Sequence, residues 1–274
     1  MHFKQMLSQK TGLAESLLPA GYQQIGKILL LNLKPESAKY KKQIGEAVLE
    51  LVPYSKTVCL NAGKISGKYR KPKIEFLAGE KNFGAEHIEQ GCVFSFDVRK
   101  IMWSKGNVSE RQRIAKIVQA GETVIDFFAG IGYWSIPIGK HSKAKKIYSI
   151  EMNPTAVKYL KKNIKLNKIP AGKIVVLKGD CTKQALKVKE KADRIILGLL
   201  PSAKFALPSA MKKIKSGGTI HYEGIAEEGK ENILFEEVLA EAKKQEKKAK
   251  LLNAQKVKSY APHRNHYTLD VRID

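Results

Sequence analysis

Carboxylates and glycines recur where predicted strands end in the second half of the chain. Asp126 ends one apolar run and is followed by Gly130 and Gly132, and Glu151 ends the next run, 25 residues after Asp126. Glycines in a strand-to-helix turn let the backbone approach a ligand without a Cβ collision. Open α/β sheets bind ligands in the crevice beyond the carboxyl ends of their strands. The spacing therefore predicts a small-molecule site here.

The acids indicate which ligand this site takes. Glu151 can accept two hydrogen bonds from a ribose diol, Asp180 can accept from an adenine amino group, and Cys181 can lie against the ring. The third glycine of the dinucleotide fingerprint is missing after Gly130 and Gly132, which argues against a nicotinamide cofactor. Each residue taken singly has a structural alternative, as a helix-start acid or a turn glycine. Together they favour an adenosine-type ligand.

The elements around these positions are those of an α/β fold. Strands over residues 123–128 and 146–151, with a helix over 133–140 between them and another over 154–167, make a βαβ unit. Further strands are predicted at 173–177, 194–197 and 219–222, with helices near 204–214 and 231–248 and two late strands near 254–260 and 267–273. We therefore predict an open, mostly parallel Rossmann-type sheet, covered on both faces and closed by an antiparallel edge.

The first hundred residues show a mixed pattern. Residues 27–33 predict a strand and 37–51 a helix, and further strands are expected at 57–60, 73–78 and 87–98. Residues 63–73 form a loop rich in Gly and Lys, either a solvated hairpin tip or a contact to a phosphate backbone. We predict a smaller N-terminal α+β domain over residues 1–100 and a second domain over 101–274.

The charge of the chain indicates its partner. Its 274 residues include 50 Lys and Arg against 26 Asp and Glu, a formal net charge of +24. Such an excess favours a polyanion, with nucleic acid first and an anionic membrane surface second. The sequence does not define the oligomeric state, and a monomer is compatible with it.

Other classes of protein are disfavoured by what the sequence does not contain. No run reaches the roughly 18 apolar residues of a membrane-spanning helix, and no apolar signal-peptide core follows the first residues, so a cytoplasmic location is expected. The three cysteines, Cys59, Cys92 and Cys181, lie far apart and form no Cys-x-x-Cys pair. Neither a disulfide framework nor a metal site is predicted.

Several of these motifs resemble those of a known family. Residues 126–132, 151–154, 179–180 and 217–221 are similar to the class I S-adenosylmethionine-dependent methyltransferase-like fold, and within it to the tRNA guanine-37 methyltransferase and wybutosine-synthesis group. The resemblance covers about residues 86–274. It implies that S-adenosylmethionine is bound by a Rossmann-like catalytic domain over residues 101–274.

Two segments distinguish the branches of that group. Residues 102–111 resemble the Phe-Ser-x-Gly-Asn-x-Ser/Thr-Glu segment of the aminocarboxypropyl transferases of wybutosine synthesis, and residues 198–202 resemble their Gly-Leu-Ile-Pro-Ser. Gly106 stands where the N1-methylating branch carries Arg, and Gly198 where that branch carries Asn. The resemblance therefore implies transfer of the 3-amino-3-carboxypropyl group of S-adenosylmethionine to C7 of 4-demethylwyosine at position 37 of phenylalanine tRNA.

The same resemblance assigns residues to the methionine arm and to the acceptor base. Ser104 and Arg111 stand at the positions that would hold the arm's carboxylate, for which the forked, permanently charged Arg is well suited. Glu110 is the candidate for removing the C7 proton, and its alternative role is a capping box with Asn107. His221 is a second candidate, with a structural alternative. Three aromatic residues could stack on an extruded base or belong to the core: Trp103, Tyr133 and Trp134.

Two other functions fit the sequence less well. One is an S-adenosylmethionine-dependent tRNA guanine-37 N1-methyltransferase with altered motifs. The other is a basic RNA-binding module whose ligand pocket is no longer used. Mass analysis of the modified tRNA separates the first alternative, and binding of S-adenosylmethionine separates the second.

Overall fold

The computed structural model describes residues 2–63 and 65–274, and the chain divides into two compact units, Met1–Lys105 and Gly106–Asp274. Each unit has its own hydrophobic core. Within the described residues, none of the helices is both long and apolar enough to cross a membrane.

Among its described residues, the first unit is an α+β arrangement with two α-helices and six strands. In chain order these are α1 (Phe3–Thr11), β1 (Tyr22–Ile25), β2 (Ile28–Leu31), α2 (Lys41–Leu51), β3 (Thr57–Asn61), β4 (Ile74–Gly79), β5 (Gly84–Glu89) and β6 (Cys92–Asp97). Four strands form a sheet in the order β1-β2-β3-β4, in which only β2 and β3 pair in parallel. The strands β5 and β6 form a separate antiparallel hairpin.

The core of the first unit lies between α2 and the four-stranded sheet. Ile44, Ala47 and Val48 recur at helical spacing and are buried with Leu29 and Val58 of the sheet. The helix predicted from that spacing is confirmed. The single strand predicted over residues 87–98 is wrong, because Gln90 and Gly91 turn the chain with positive φ angles of 50° and 72° and so split it into β5 and β6.

The second unit alternates strands and helices as the sequence predicts. Its elements, in order, are α3 (Val108–Ile117), β7 (Thr123–Asp126), α4 (Ser135–His141), β8 (Lys146–Glu151), α5 (Pro154–Leu166), β9 (Ile174–Lys178), α6 (Cys181–Lys187), β10 (Ala192–Leu197), α7 (Leu207–Lys213), β11 (Ile214–Glu227), α8 (Asn232–Lys244), β12 (Ala249–Ala261) and β13 (Arg264–Ile273). The start of α5 shows why: Asn153 caps Thr155 N–H at 3.0 Å and Pro154 opens the first turn.

Seven strands of the second unit form one sheet, in the order β12-β13-β11-β10-β7-β8-β9. The strands from β9 to β11 pair in parallel, whereas β13 pairs antiparallel with both β11 and β12. This confirms the predicted parallel sheet with an antiparallel edge, and it brings the carboxyl ends of β7, β8, β9 and β10 to one side. Asp126, Gly130, Glu151, Asp180, Cys181 and Gly198 end or follow these four strands.

Candidate active site

Glu151 ties two of the strand-end loops together. Its Oε2 accepts from Gly130 N–H at 2.8 Å and its Oε1 accepts from Asn153 N–H at 2.7 Å. Burial raises the pKa of Glu151, and these backbone N–H groups oppose the rise. Each carboxylate oxygen has a second lone pair. The arrangement can therefore still accept hydrogen bonds from a ligand's diol while the two loops stay fixed.

The turn after β7 needs its glycines. Gly130 has a φ of +56°, and a Cβ there would lie 2.4 Å from the Tyr133 ring. Gly132 has a φ of +104°, and a Cβ would lie 2.3 Å from the Ile136 side chain. Both φ angles are positive and both Cβ positions are filled by protein atoms, so the turn requires glycine at the two positions.

Asp126 makes its contacts within the protein. Its carboxylate is fully buried, accepts from Ser135 Oγ at 2.7 Å and from Phe128 N–H at 3.2 Å, and Ser149 Oγ in turn contacts Ser135 Oγ at 2.7 Å. Burial raises the pKa of Asp126 to about 7, although the Ser135 hydrogen bond acts in the opposite direction. These bonds hold the start of α4 beside the strand end, and so Asp126 shapes the turn. Its predicted contact with a cofactor stays a prediction.

Asp180 and Cys181 lie at the next strand end. Gly179 N–H donates to Glu151 O at 2.9 Å, which brings this loop to the end of β8. Asp180 caps α6 by accepting from Thr182 N–H at 2.9 Å, and the Thr182 hydroxyl bond lowers the pKa of Asp180. Burial raises the pKa of Cys181 to about 12, so its thiol is a small apolar surface at neutral pH. The predicted contacts of Asp180 and Cys181 with an adenine ring stay predictions.

Gly198 follows β10 and has no room for a side chain. A Cβ there would lie 2.5 Å from Trp134 Nε1 and 3.4 Å from Glu223 Oε2. The next residues, 200–201, form a cis peptide bond, and Ile225 N–H donates to Pro201 O at 3.0 Å. The loop after β10 is therefore fastened to β11, and an Asn at position 198 would collide with Trp134.

Glu110 has both oxygens in use. In α3, Arg113 donates to Glu110 at 2.9 and 2.7 Å and to Asp270 at 2.7 and 2.9 Å. Asn107 stands at the N-cap, but its side chain makes no capping bond among the residues that the structure describes, so the predicted capping box is wrong. Glu110 is completely buried, and its proposed role as a proton acceptor stays a prediction.

The ion pairs of Glu110 continue through His221. Asp270 Oδ1 lies 2.5 Å from His221 Nδ1, and Arg194 lies 2.7 Å from His221 Nε2. Since Arg can only donate, Nε2 must accept, which leaves Nδ1–H to donate to Asp270 and makes the imidazole neutral. Burial, Arg194 and Arg113 lower the pKa of His221 against the influence of Asp270. His221 is thus a satisfied structural residue, the alternative that the sequence left open.

The two residues expected at the methionine arm lie in different units. Ser104 is half-buried in the first unit, and Arg111 is in α3 of the second, with 2% of its surface exposed. Arg111 is close enough to Lys258 to lower the pKa of Lys258, which burial already lowers more strongly. Lys258 itself covers Gly106, where a Cβ would lie 2.3 Å from Lys258 Cδ. The role of Ser104 and Arg111 stays a prediction.

The aromatic candidates are mostly core residues. Trp103 is 6% exposed and stacks on Phe96 with ring centroids 5.4 Å apart, within the first unit. Trp134 is also buried, whereas Tyr133 is half-buried beside Gly130. In the loop over residues 63–73, Lys64 lies outside the described residues, and Tyr69 is half exposed next to a Ser66–Lys71 bridge. This loop is the hairpin tip that one of the two sequence interpretations predicted.

Sequence reasoning missed a group of polar residues around Gly198. Glu223 on β11 and His266 and Thr268 on β13 are all buried. The available signal was the period-two alternation of β11, which places Glu223 on the same face as His221. Within the described part of the chain, no cluster of three or more His, Cys, Asp or Glu residues is arranged to hold a metal ion.

Comparison with known proteins agrees with this geometry. Residues 85–253 match the TRM5/TYW2 methyltransferase domain, and residues 3–82 match the TYW2 N-terminal domain. The chain is 37% identical to a tRNA(Phe) (4-demethylwyosine(37)-C(7)) aminocarboxypropyltransferase of Methanocaldococcus jannaschii, over 92% of this chain and 98% of that protein. It is 36% identical to a tRNA (guanine(37)-N(1))-methyltransferase, Trm5b, of Pyrococcus abyssi, over 93% of this chain and 76% of that protein.

A solved structure gives the same result for the fold. The crystal structure of Pyrococcus horikoshii TYW2 in complex with MeSAdo superposes with a TM-score of 0.83 at 33% sequence identity, and the match covers 99% of each chain. Both compact units are therefore included in the likeness. The chain belongs to the TRM5/TYW2 methyltransferase family.

Proposed function

We propose that this protein transfers the 3-amino-3-carboxypropyl group of S-adenosylmethionine to C7 of 4-demethylwyosine at position 37 of phenylalanine tRNA. The name of the M. jannaschii relative, which matches almost end to end, describes this reaction. The observation that carries the proposal is Gly198: Trp134 occupies the space that a side chain would need, so the Asn of the methylating branch has no equivalent here.

The residues at the strand ends fit S-adenosylmethionine. Glu151 would hold the ribose diol, Asp180 the adenine amino group and Cys181 the ring, while the Gly130 N–H keeps Glu151 in place. When bound, S-adenosylmethionine supplies a sulfonium that activates three attached carbons, and the carbon that faces the acceptor in line decides the product. The chain's own contribution is to bind and orient the two reactants.

The methionine arm needs a partner for its carboxylate, and within the second unit we assign that role to Arg111. Arg111 is one of the few buried cations of the second unit, and a guanidinium binds a carboxylate through two parallel hydrogen bonds. The net charge of +24 supports the tRNA partner, because the anticodon stem-loop is a polyanion. Phosphate contacts would position this stem-loop, and the modified purine at position 37 would have to leave its stack.

Labelled donor tests the reaction. Substrate tRNA is incubated with S-adenosylmethionine labelled either in the carboxyl carbon or in the methyl carbon, and label in the purified tRNA is counted. We expect label in the tRNA only from the carboxyl-labelled donor. Label arriving only from the methyl-labelled donor would show a methyltransferase and reject the proposal.

A binding experiment tests the assignment of Arg111. Arg111→Ala should weaken S-adenosylmethionine about tenfold or more by calorimetry and weaken methylthioadenosine, which lacks the arm, much less. Lys116→Ala is the matched control, because Lys116 is an exposed cation on the same helix. Equal losses for both ligands would remove Arg111 from the arm site.

A further inference from the structure

Buried polar atoms without partners gather on one face of β11 and β13. Among the described residues, Glu223 Oε1, both ring nitrogens of His266 and Thr268 Oγ1 have no hydrogen-bond partner. Glu223 pairs with Thr268 across the two strands and His266 lies two residues before Thr268, so all three side chains share a face. More than about nine in ten buried polar groups in proteins are hydrogen-bonded. Four such atoms together indicate a site at which a bound ligand would supply the missing hydrogen-bond partners.

This group lies at the strand ends that form the candidate active site. The last pair between β10 and β11 is Leu197 with Tyr222, so Gly198 and Glu223 are the next residues of the two strands. Glu223 Oε2 lies 3.4 Å from the Cβ position of Gly198. The Glu223 charge also acts on Asp126 at the end of β7. Glu223 therefore lines the candidate active site at the carboxyl ends of the strands.

The surroundings of Glu223 suit a carboxylate that handles a proton. It is 2% exposed, and His266 Nε2 lies 3.5 Å from its Oε1, so an imidazole stands directly behind it. Lys258 pairs with His266 on β12, and the Glu223 charge counteracts the effect of burial on Lys258. The side chain is thus enclosed, has an acid–base neighbour, and holds one oxygen without a hydrogen bond.

The proposed reaction leaves a proton to be removed. The acceptor carbon C7 forms a bond to the terminal carbon of the transferred chain, and the bond from that carbon to sulfur breaks with its electron pair going to sulfur. C7 then carries a proton that must leave to restore the aromatic ring. The other candidates are engaged: both oxygens of Glu110 accept from Arg113, and both nitrogens of His221 are bonded.

We infer that Glu223 is the catalytic residue that accepts the proton from the acceptor base. This inference rests on the proposed function. The carboxylate takes the C7 proton as the new carbon–carbon bond is completed, and His266 stands next to it for the onward step. Ligand binding would rely on Glu151, Asp180 and Arg111, so removing the Glu223 charge should slow the reaction without weakening either ligand.

The test compares binding and chemistry in Glu223→Gln. Calorimetry should give affinities for S-adenosylmethionine and for substrate tRNA within about twofold of wild type. The single-turnover rate should fall by about 10²–10⁴-fold, the usual contribution of a positioned acid–base group. A tRNA with deuterium at C7 should react more slowly than the protonated tRNA in the variant, because proton removal then limits the rate.

A matched control is Glu227→Gln, which makes the same substitution at an exposed position of the same strand. Its rate should equal that of wild type. The inference is overturned if Glu223→Gln keeps the wild-type rate. It is equally overturned if the rate and the S-adenosylmethionine affinity fall by the same factor, which would make Glu223 a contact for the donor's ammonium group.

A second variant covers the possibility that Glu223→Gln does not fold. Glu223→Asp keeps the charge on a shorter side chain, and it should bind both ligands normally with a rate between those of wild type and an inactive variant. A wild-type rate for Glu223→Asp would contradict the inference. The wild-type reaction itself is judged by the labelled donor, so failure of the proposed function and failure of Glu223 give different results.

Discussion

Two clusters of buried or half-buried polar side chains lie along β11 and β13, and they differ in how completely their atoms are hydrogen-bonded. The first runs from Glu110 through Arg113, Asp270 and His221 to Arg194, with each step at 2.5–2.9 Å. The second contains Glu223, His266 and Thr268, whose four buried atoms have no hydrogen-bond partner among the described residues. The clusters are neighbours, since His221 and Glu223 are two residues apart on one strand.

This difference in hydrogen bonding indicates that the first cluster supports the fold and that the second belongs to the candidate site. A buried charge without a partner is costly, and a cluster in which every charge is bonded avoids that cost. A cluster that keeps unbonded atoms is stable only because the rest of the fold holds it, and functional sites commonly contain such atoms. The paired cluster joins α3 to the sheet, whereas the unpaired one borders Gly198 at the strand ends.

The largest loss of stability is expected from replacing Arg113, the residue that joins Glu110 to Asp270 in the paired cluster. Arg113→Ala leaves Glu110 and Asp270 buried without their cation, which should lower the free energy of unfolding by about 3–5 kcal/mol. Urea unfolding followed by circular dichroism measures this change. Arg272→Ala, which breaks an exposed pair with Asp274, should change it by less than about 0.5 kcal/mol. Equal effects of the two substitutions would contradict the comparison.

Asp126 accepts hydrogen bonds from Ser135 and Phe128, but it is buried near Glu151 and Glu223. Its contribution to the free energy of unfolding should therefore depend on pH. Its folded pKa of about 7 is above the value near 3.9 in an unfolded chain, so the folded protein binds more protons between these pH values. The stability that this group contributes is therefore complete below pH about 4 and is lost as the pH rises to about 7. Relative to Asp126→Asn, wild type should lose a few kcal/mol over that range, at about 1.4 kcal/mol per pKa unit.

Asp193 provides the control of opposite sign for Asp126. Its hydrogen bond with Lys215 lowers the pKa of Asp193 in spite of burial, so its contribution is present above the unfolded pKa and is lost as the pH falls. Wild type should thus gain stability relative to Asp193→Asn as the pH rises from acid. A difference between wild type and Asp126→Asn that stays constant from pH 4 to 8 would contradict our account of Asp126.

A smaller loss of stability is expected from substitution of Gly198, after β10. Gly198→Ala forces Trp134 to move, because the new Cβ would lie 2.5 Å from its Nε1, and overpacking of this kind costs about 1–3 kcal/mol. Gly21→Ala is the matched control, since nothing lies within 4 Å of a Cβ there. The double variant with Trp134→Phe should recover part of the loss, which a double-mutant cycle measures. Additive losses would show that the two residues do not touch.

The smallest change in the free energy of unfolding is expected when a buried hydroxyl without a hydrogen-bond partner is removed. Thr268→Val replaces a buried hydroxyl that has no partner, so the free energy of unfolding should stay the same or rise by up to about 1 kcal/mol. Ser135→Ala removes a hydroxyl bonded to both Asp126 and Ser149, and it should cost about 1–3 kcal/mol. The reverse order in thermal unfolding would contradict the distinction between bonded and unbonded buried groups.

The sequence predicted the parts of the molecule that depend on local pattern. The βαβ unit, the helix after Asn153 and the antiparallel edge follow from hydrophobic periodicity and capping, and each is found in the structure. The strand split at Gln90 and Gly91 was missed because two short strands joined by a two-residue turn were read as one strand. Position at the strand ends led to Glu151 and Asp180, and the family resemblance led to Gly198; their contacts with a ligand stay predictions.

Side-chain contacts between elements far apart in the chain could not be predicted from the sequence pattern. The i,i+3 spacing of Glu110 and Arg113 permits their ion pair, but nothing in the sequence shows that Arg113 also reaches Asp270, 157 residues later. Glu223 looks like an ordinary strand acid until the register with β13 places it opposite Thr268 and near His266. The distinction between a bonded and an unbonded carboxylate therefore needs the sheet register, which only the structure supplies.

The nucleoside released from the donor tests the central claim most directly. Purified protein, S-adenosylmethionine and tRNA carrying 4-demethylwyosine are allowed to react, and the small-molecule product is separated by liquid chromatography and identified by mass. Transfer of the aminocarboxypropyl chain predicts methylthioadenosine in amounts equal to the modified tRNA. Release of S-adenosylhomocysteine instead would mean that the methyl group had moved, and it would contradict the account.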